Sequence, residues 1–168
     1  MEAARTALLS DVAAITVLAR QAVGELGAQR GGPVWQLQDA RVEPIDAGVR
    51  ADVAMGPEAG LVVVGTVDDA VVGYGVSHLE SLHDGSVLAE VSDLYVDPQA
   101  RGIGLGEAMM DLLVDHARSA GAVGIDALAL PGDRATKNFF ETFGLKARAL
   151  IVHRSLVDDG PDGSGGAG

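Results

Sequence analysis

The chain has 168 residues, 48% hydrophobic and 21% charged, with a formal net charge of -12 and no cysteine. That length and composition suit one soluble domain with a real core. The charge argues against nonspecific nucleic-acid binding, the missing thiol excludes disulfides, thiolate metal sites and a cysteine nucleophile, and no apolar run approaches a membrane span.

The N-terminal stretch lacks the basic start and long apolar core of a secretory leader, so a cytoplasmic protein is expected. Ser10 predicts a helix N-cap, and Val12, Ile15, Leu18, Ala19, Ala22, Val23 and Leu26 follow at helical spacing. Gly27, Gly31, Gly32 and Pro33 break that helix and leave Trp35, the sole tryptophan, in a loop. From Leu37 to Gly60 the pattern is mixed, and a loop with a short helix and a short strand is expected. Then the period changes to that of strands: Leu61–Val67, a turn at Asp68 and Asp69, Ala70–Glu80, a second turn at His83 to Gly85, and Ser86–Val96. These make an antiparallel meander, which Pro98 ends.

Leu105, Ala108, Met109, Leu112, Leu113 and Ala117 share one face of a helix predicted over Leu105–Ala120. Ala122–Leu130, "AVGIDALAL", reads as a strand buried on both faces. Asp133 is placed to cap a helix bearing Phe139, Phe140 and Phe143, and Gly144 stands where that helix should end. Lys146–Leu156, "KARALIVHRSL", reads as a last strand. Strand, helix, strand from Glu90 to Leu130 requires parallel pairing through a crossover helix, so the fold class is α/β with a mixed sheet. One domain is expected over residues 1–156, followed by a disordered acidic, Gly-rich tail over 157–168.

The junction "LYVDPQARGIGLGEAMMDLL", Leu94–Leu113, sets Gly102, Gly104 and Gly106 at alternate positions behind Arg101. Missing side chains leave backbone N–H groups open, the helix mouth adds partial positive charge, and Arg101 adds a full one. The stretch is a candidate pyrophosphate cradle; the other reading is a tight turn that needs glycine for conformation only. A dinucleotide fingerprint fails, because its last glycine would fall on Glu107 or Met109. An ATP-type loop fails for want of its lysine.

Arg101, Gly104 and Gly106 behind "LYVDP" resemble the signature of the GCN5-related N-acetyltransferases (GNAT): Gln or Arg, two residues, Gly, one residue, Gly or Ala. The resemblance runs from about Ala3 to Leu156. It implies a GNAT-like fold with a splayed mixed sheet, and acetyl-CoA or another acyl-CoA as co-substrate. It implies a pantetheine arm along the backbone of Leu94, Tyr95 and Val96. The pyrophosphate would sit on amides of Arg101, Gly102, Ile103, Gly104, Leu105 and Gly106. The implied activity is direct transfer of acetyl to an amine of a small molecule or protein. The acceptor pocket would draw on the first helix, the loop after it and the hairpin strands, hence Arg30, Trp35 and Tyr74. Trp35 is either an aromatic wall for the acceptor or a loop anchor. Arg30 either holds an acceptor carboxylate or is a free surface residue.

Transfer to an amine requires removal of a proton from a group of pKa about 10, an oxyanion donor, and release of a thiolate. Glu90, six residues before Val96, is the first candidate base, matching a glutamate of the protein-acetylating members; the alternative is an ordinary exposed carboxylate. Strand alternation predicts Glu90, Ser92, Leu94 and Val96 on one face, with Asp93 and Tyr95 opposite, which makes Asp93 the second candidate. The oxyanion donor would be an N–H within Leu94–Val96. Two positions depart from the family: Phe140 replaces a tyrosine that would protonate the thiolate, and Asp133 replaces an asparagine. A thiol of pKa about 8.5 can leave unassisted. The alternative function is a non-catalytic acyl-CoA-binding module. Lys137 either reaches a CoA phosphate or is simply solvated. Histidines 78, 83, 116 and 153 show no metal spacing, and no metal is expected. A homodimer through edge strands is a further expectation.

Overall fold

The computed structural model describes residues 1–157. In chain order the elements are β1 (Glu2–Thr6), α1 (Val12–Gly27), α2 (Gly32–Gln38), α3 (Ile45–Ala54), β2 (Gly60–Val67), β3 (Ala70–Ser81), β4 (Val87–Val96), α4 (Leu105–Ser119), β5 (Gly124–Ala127) and α5 (Arg134–Thr142). Short 3-10 turns precede α1 at Leu9–Asp11 and follow β4 at Pro98–Ala100. The strands lie side by side in sequence order. β1 to β4 are antiparallel neighbours, and β5 runs parallel to β4 through the α4 crossover. This is the mixed α/β sheet, open and flanked by helices, that the sequence predicts.

Each element has a local cause. Asp68 and Asp69 both take positive φ, 47° and 69°, which is the twist a two-residue hairpin needs and which Asp tolerates. The Asp133 side chain accepts from the Thr136 N–H and caps α5, while Gly144 ends it at φ 80°. Alternation along the strands builds two cores. Val62, Val64, Tyr74, Val76 and Tyr95 pack against Ile15, Leu18, Ala19, Ala22, Ile45 and Val49 on one side. Val63 and Val91 meet Met109, Met110, Leu113 and Phe140 on the other. Gly75 permits that second contact, since a Cβ there would stand 3.2 Å from Leu113, Leu94 and Val63 side-chain atoms.

Five expectations are corrected. Ser10 does not cap α1. The neighbouring Asp11 carboxylate accepts from the Leu8 N–H at 2.8 Å and from both terminal nitrogens of Arg5 at 2.7 and 3.0 Å, because β1 brings Arg5 to it. Trp35 is not in a loop: Pro33 starts α2, where its missing N–H costs nothing, and Trp35 belongs to that helix. Between Leu37 and Gly60 the helix forms as α3, but no strand forms there. β5 is four residues long and half-buried, not a strand buried on both faces through Leu130. Lys146–Leu156 stays exposed without regular structure: strand-like composition is only a weak preference, and the segment makes no backbone ladder with the open edge of β5. Of the expected tail, residues 158–168 lie outside the described residues.

Candidate active site

β4 pairs with β3 along its length but with β5 only from Leu88 to Val91. The cause is a bulge. Val76 pairs with Asp93 while Ser77 pairs with Val91, so Ser92 is one residue too many for the ladder. A bulge bends and twists its strand. Beyond it, β4 and the chain after β5 diverge, and the outer edge of Ser92 to Val96 has no strand partner among the described residues. A cleft of about 430 Å³ opens in this gap. Its walls are β4 from Val91 to Val96, Leu128 to Leu130 after β5, Glu25 and Leu26 of α1, Trp35, and Phe139 with Phe140 of α5.

The same bulge resets the side-chain phase. Glu90 lies opposite His78, Asp93 opposite Val76 and Tyr95 opposite Tyr74. Residues 74, 76 and 78 of a regular strand share one face, so Glu90, Asp93 and Tyr95 share it too. Leu94 and Val96 instead join Val91 in the core beneath α4. The predicted separation of Glu90 from Asp93 is therefore wrong, and the extra residue is the reason.

At the cleft's far end, Gly102 and Gly104 have φ of 83° and 89°, and a Cβ on either would meet nothing within 4 Å. The bare backbone thus faces open space. Among the described residues no acceptor bonds the N–H groups from Gly102 to Gly106, and they sit at the mouth of the 15-residue α4. Free amides, open room and a helix N-terminus fit a diphosphate. Ile103 points outward, 46% exposed, while Leu105 anchors the helix start in the core.

Arg101 is less free than the sequence suggests. Its Nη2 lies 2.9 Å from Glu25 Oε1, and its Nε donates to the Val96 carbonyl at 2.9 Å. The guanidinium stands 5.4 Å from the centre of the Tyr95 ring. Tyr95 in turn donates its hydroxyl to Glu25 at 2.8 Å. Burial, then the Glu25 carboxylate, pushes the Tyr95 phenol up to about 12. This latch crosses the cleft from α1 to the exit of β4.

At the other end lies a charged network. The Asp93 carboxylate accepts from Arg41 Nε at 2.8 Å, Tyr74 OH at 2.8 Å and Ser92 Oγ at 2.7 Å. Arg41 Nη2 also reaches Asp52 of α3 at 2.6 Å. The side chains of Arg41 and Asp93 are only 17% and 13% exposed. Burial opposes the Arg41 charge, but the two carboxylates outweigh it and raise its pKa. Burial, then Asp93, pushes the Tyr74 phenol well above its ordinary value. Arg41 and Asp52 are absent from the sequence-predicted set. Both fall in the stretch of mixed pattern, and no spacing links them to Asp93.

The predicted site residues divide accordingly. Leu94, Tyr95, Val96, Arg101, Gly102, Gly104, Leu105, Gly106, Asp93, Trp35 and Tyr74 all line the cleft. Glu90 is exposed beside it and has no hydrogen-bond partner among the described residues. Arg30 is exposed and lies off the cleft. Lys137 is also off it and pairs with Glu141 at 3.6 Å, one helical turn on. Phe140 lines the cleft, buried against Phe139. Among the described residues no cluster of His, Asp or Glu could hold a metal ion, and no helix is long and apolar enough to cross a membrane.

Residues 32–145 match the sequence model of the Acetyltransferase (GNAT) family. The chain belongs to the GNAT acetyltransferases. Acetyl transfer is therefore its reaction class, and acetyl-CoA is the co-substrate the family generally uses. Solved structures share the GNAT fold. A mutant of the BH1408 protein from Bacillus halodurans is 20% identical with a TM-score of 0.76, covering 92% of this chain and 99% of that one. Glucosamine-6-phosphate N-acetyltransferase from Arabidopsis thaliana is 17% identical with a TM-score of 0.66, covering 94% and 99%. Ribosomal-protein-alanine N-acetyltransferase from Brucella melitensis biovar Abortus 2308 is 18% identical with a TM-score of 0.65, covering 92% and 99%. No curated protein matches the sequence.

Proposed function

We propose that this GNAT protein is an acetyl-CoA-dependent N-acetyltransferase that passes acetyl directly to a primary amine of a small molecule or protein. One observation carries the reading: among the described residues, a strand edge without a partner, Ser92 to Val96, leads into a turn of unpaired amides, Gly102 to Gly106. Amide groups of a pantetheine arm want main-chain partners, and a diphosphate wants the helix mouth. Acetyl-CoA, when bound, supplies the activated acetyl group. Leu94, Tyr95 and Val96 would hold the arm, and the amides from Arg101 to Gly106 the pyrophosphate. A backbone N–H within Leu94–Val96 would donate to the developing oxyanion.

Of the two candidate bases, Glu90 takes the proton and Asp93 positions its neighbours. Asp93 is engaged by three residues and serves to orient Tyr74, Arg41 and the bulge. Glu90 has no donor among the described residues and is free to take the amine's proton through a water. The acceptor enters past Trp35 and Tyr74. Arg30 and Lys137, off the cleft, have no part in this scheme. A chain without cysteine also suits a reducing compartment such as the cytoplasm.

A second reading, an acyl-CoA-binding module without turnover, rests on Phe140 and on both tyrosine hydroxyls being given to carboxylates. Thiol release from acetyl-CoA, measured with pools of amines against no amine, separates the two. Amine-dependent release establishes the transferase. Tight acetyl-CoA binding without release from any pool favours the module.

A further inference from the structure

Charge inside the cleft decides which amine it suits. Two cations line it, Arg41 and Arg101, and both are committed. Arg41 is held by Asp52 and Asp93 at 2.6 and 2.8 Å, and Arg101 by Glu25 at 2.9 Å. Among the described residues the cleft therefore offers no free cation to a carboxylate or phosphate on the acceptor. It does offer a free carboxylate. Asp39 lines the cleft, is exposed, and has no side-chain partner among the described residues. Glu107 is also unpartnered, but it belongs to the first turn of α4, at the Gly102–Gly106 end. Asp39 stands two residues before Arg41, at the end of the Asp93 network.

The helix α2 gives that carboxylate a companion. The Asp39 N–H donates to the Trp35 carbonyl at 2.9 Å, so the two residues are one helical turn apart and share a face. Both line the cleft, and Trp35 is half-buried. An indole face attracts a cation, and a carboxylate one turn away pairs with it. On the transferase reading, we infer that the acceptor is a small diamine, with Asp39 and Trp35 as the residues that select it. One ammonium rests between the indole and the Asp39 carboxylate. The amine at the other end gives up its proton towards Glu90 and takes the acetyl group. A monoamine leaves Asp39 unanswered. An amino acid sets its carboxylate against Asp39 with no free cation to receive it, so the site also selects by repulsion. The net charge of -12 works in the same direction, drawing a cationic acceptor in.

The experiment uses the full chain and straight-chain diamines, with the monoamines and ω-amino acids of the same lengths beside them. Thiol release from acetyl-CoA gives kcat/KM, and calorimetry on CoA-saturated protein gives binding without turnover. The result expected is a kcat/KM for the best diamine about tenfold above its monoamine, with the amino acid lower still. That preference should shrink as salt rises. Asp39→Asn and Trp35→Leu, each checked for folding by circular dichroism, should each remove most of it, in turnover and in binding. Monoamines or amino acids that match the diamines overturn the inference. So does a preference that survives Asp39→Asn, and so does an Asp39→Asn loss shared equally by the monoamine, which would give the carboxylate a role in the fold or the reaction instead. If no amine releases thiol, the transferase reading fails by itself. Calorimetry then decides the inference alone: diamine binding that depends on Asp39 sustains it, and its absence overturns it.

Discussion

Replacing Arg41 by methionine tests the charged network around Asp93. Methionine keeps most of the apolar stem, so the change is chiefly one of charge. In the parent, Arg41 bridges Asp52 and Asp93 at 2.6 and 2.8 Å, with side-chain exposures between 13% and 18%. Without it, two carboxylates face each other in a partly dry site, and only Tyr74 and Ser92 still donate to Asp93. Removing one member of a buried ion pair costs about 3–5 kcal/mol, far more than an exposed pair is worth. Partial exposure puts the expectation at the low end, about 3 kcal/mol. For a domain of this size that lowers the melting temperature by about 6–12 °C. Thermal unfolding by circular dichroism reads it. Arg20→Met is the control, since its pair with Glu43 is 55% and 60% exposed and should scarcely move the melt. Asp93→Asn added to Arg41→Met should recover part of the loss, because it removes one stranded charge. The acetyl-CoA dissociation constant should hold, because the cradle lies at the other end of the cleft, while the acceptor KM rises. A drop of less than about 2 °C would refute the reasoning, as would equal damage from Arg20→Met.

Gly104→Glu should abolish acetyl-CoA binding, since it strains a residue at φ 89° and sets a negative charge among the open amides; unchanged affinity by calorimetry would move the pyrophosphate elsewhere. Ultraviolet titration should find Tyr95 ionising at about 12, and Glu25→Gln should bring that midpoint down towards the ordinary value of about 10. A phenol whose pKa is raised on folding contributes stability that is full below about pH 10 and is lost as pH rises towards 12, so Tyr95→Phe should flatten the fall in stability across that window. Glu90→Gln should cut turnover most at low pH, where the amine holds its proton, and leave acetyl-CoA affinity intact; an unchanged pH–rate profile would place the base elsewhere.

Much of this protein was legible locally. The hairpin at Asp68 and Asp69, the cap at Asp133, the stop at Gly144 and the stripe of α4 each depend on neighbours within a few residues, and the sequence displays them directly. The open glycine turn before α4 was legible for the same reason: a strand end, a break and a helix start are consecutive, so their geometry follows from their order. The crossover after β4 followed from handedness and sheet rules alone. What the sequence could not show is the extra residue at Ser92. A bulge has no composition of its own here, yet it reverses the facing of everything after it and brings Asp93 to the same side as Glu90. The pairings Arg41 with Asp93 and Arg101 with Glu25 join residues 52 and 76 positions apart. Only the packing of α1 and α3 on the sheet brings them together. The last expected strand has the right residues and still does not form: Lys146–Leu156 makes no backbone ladder, although β5 leaves one edge open among the described residues. Composition marks a segment as able to form a strand, but whether it pairs with an edge is decided in three dimensions.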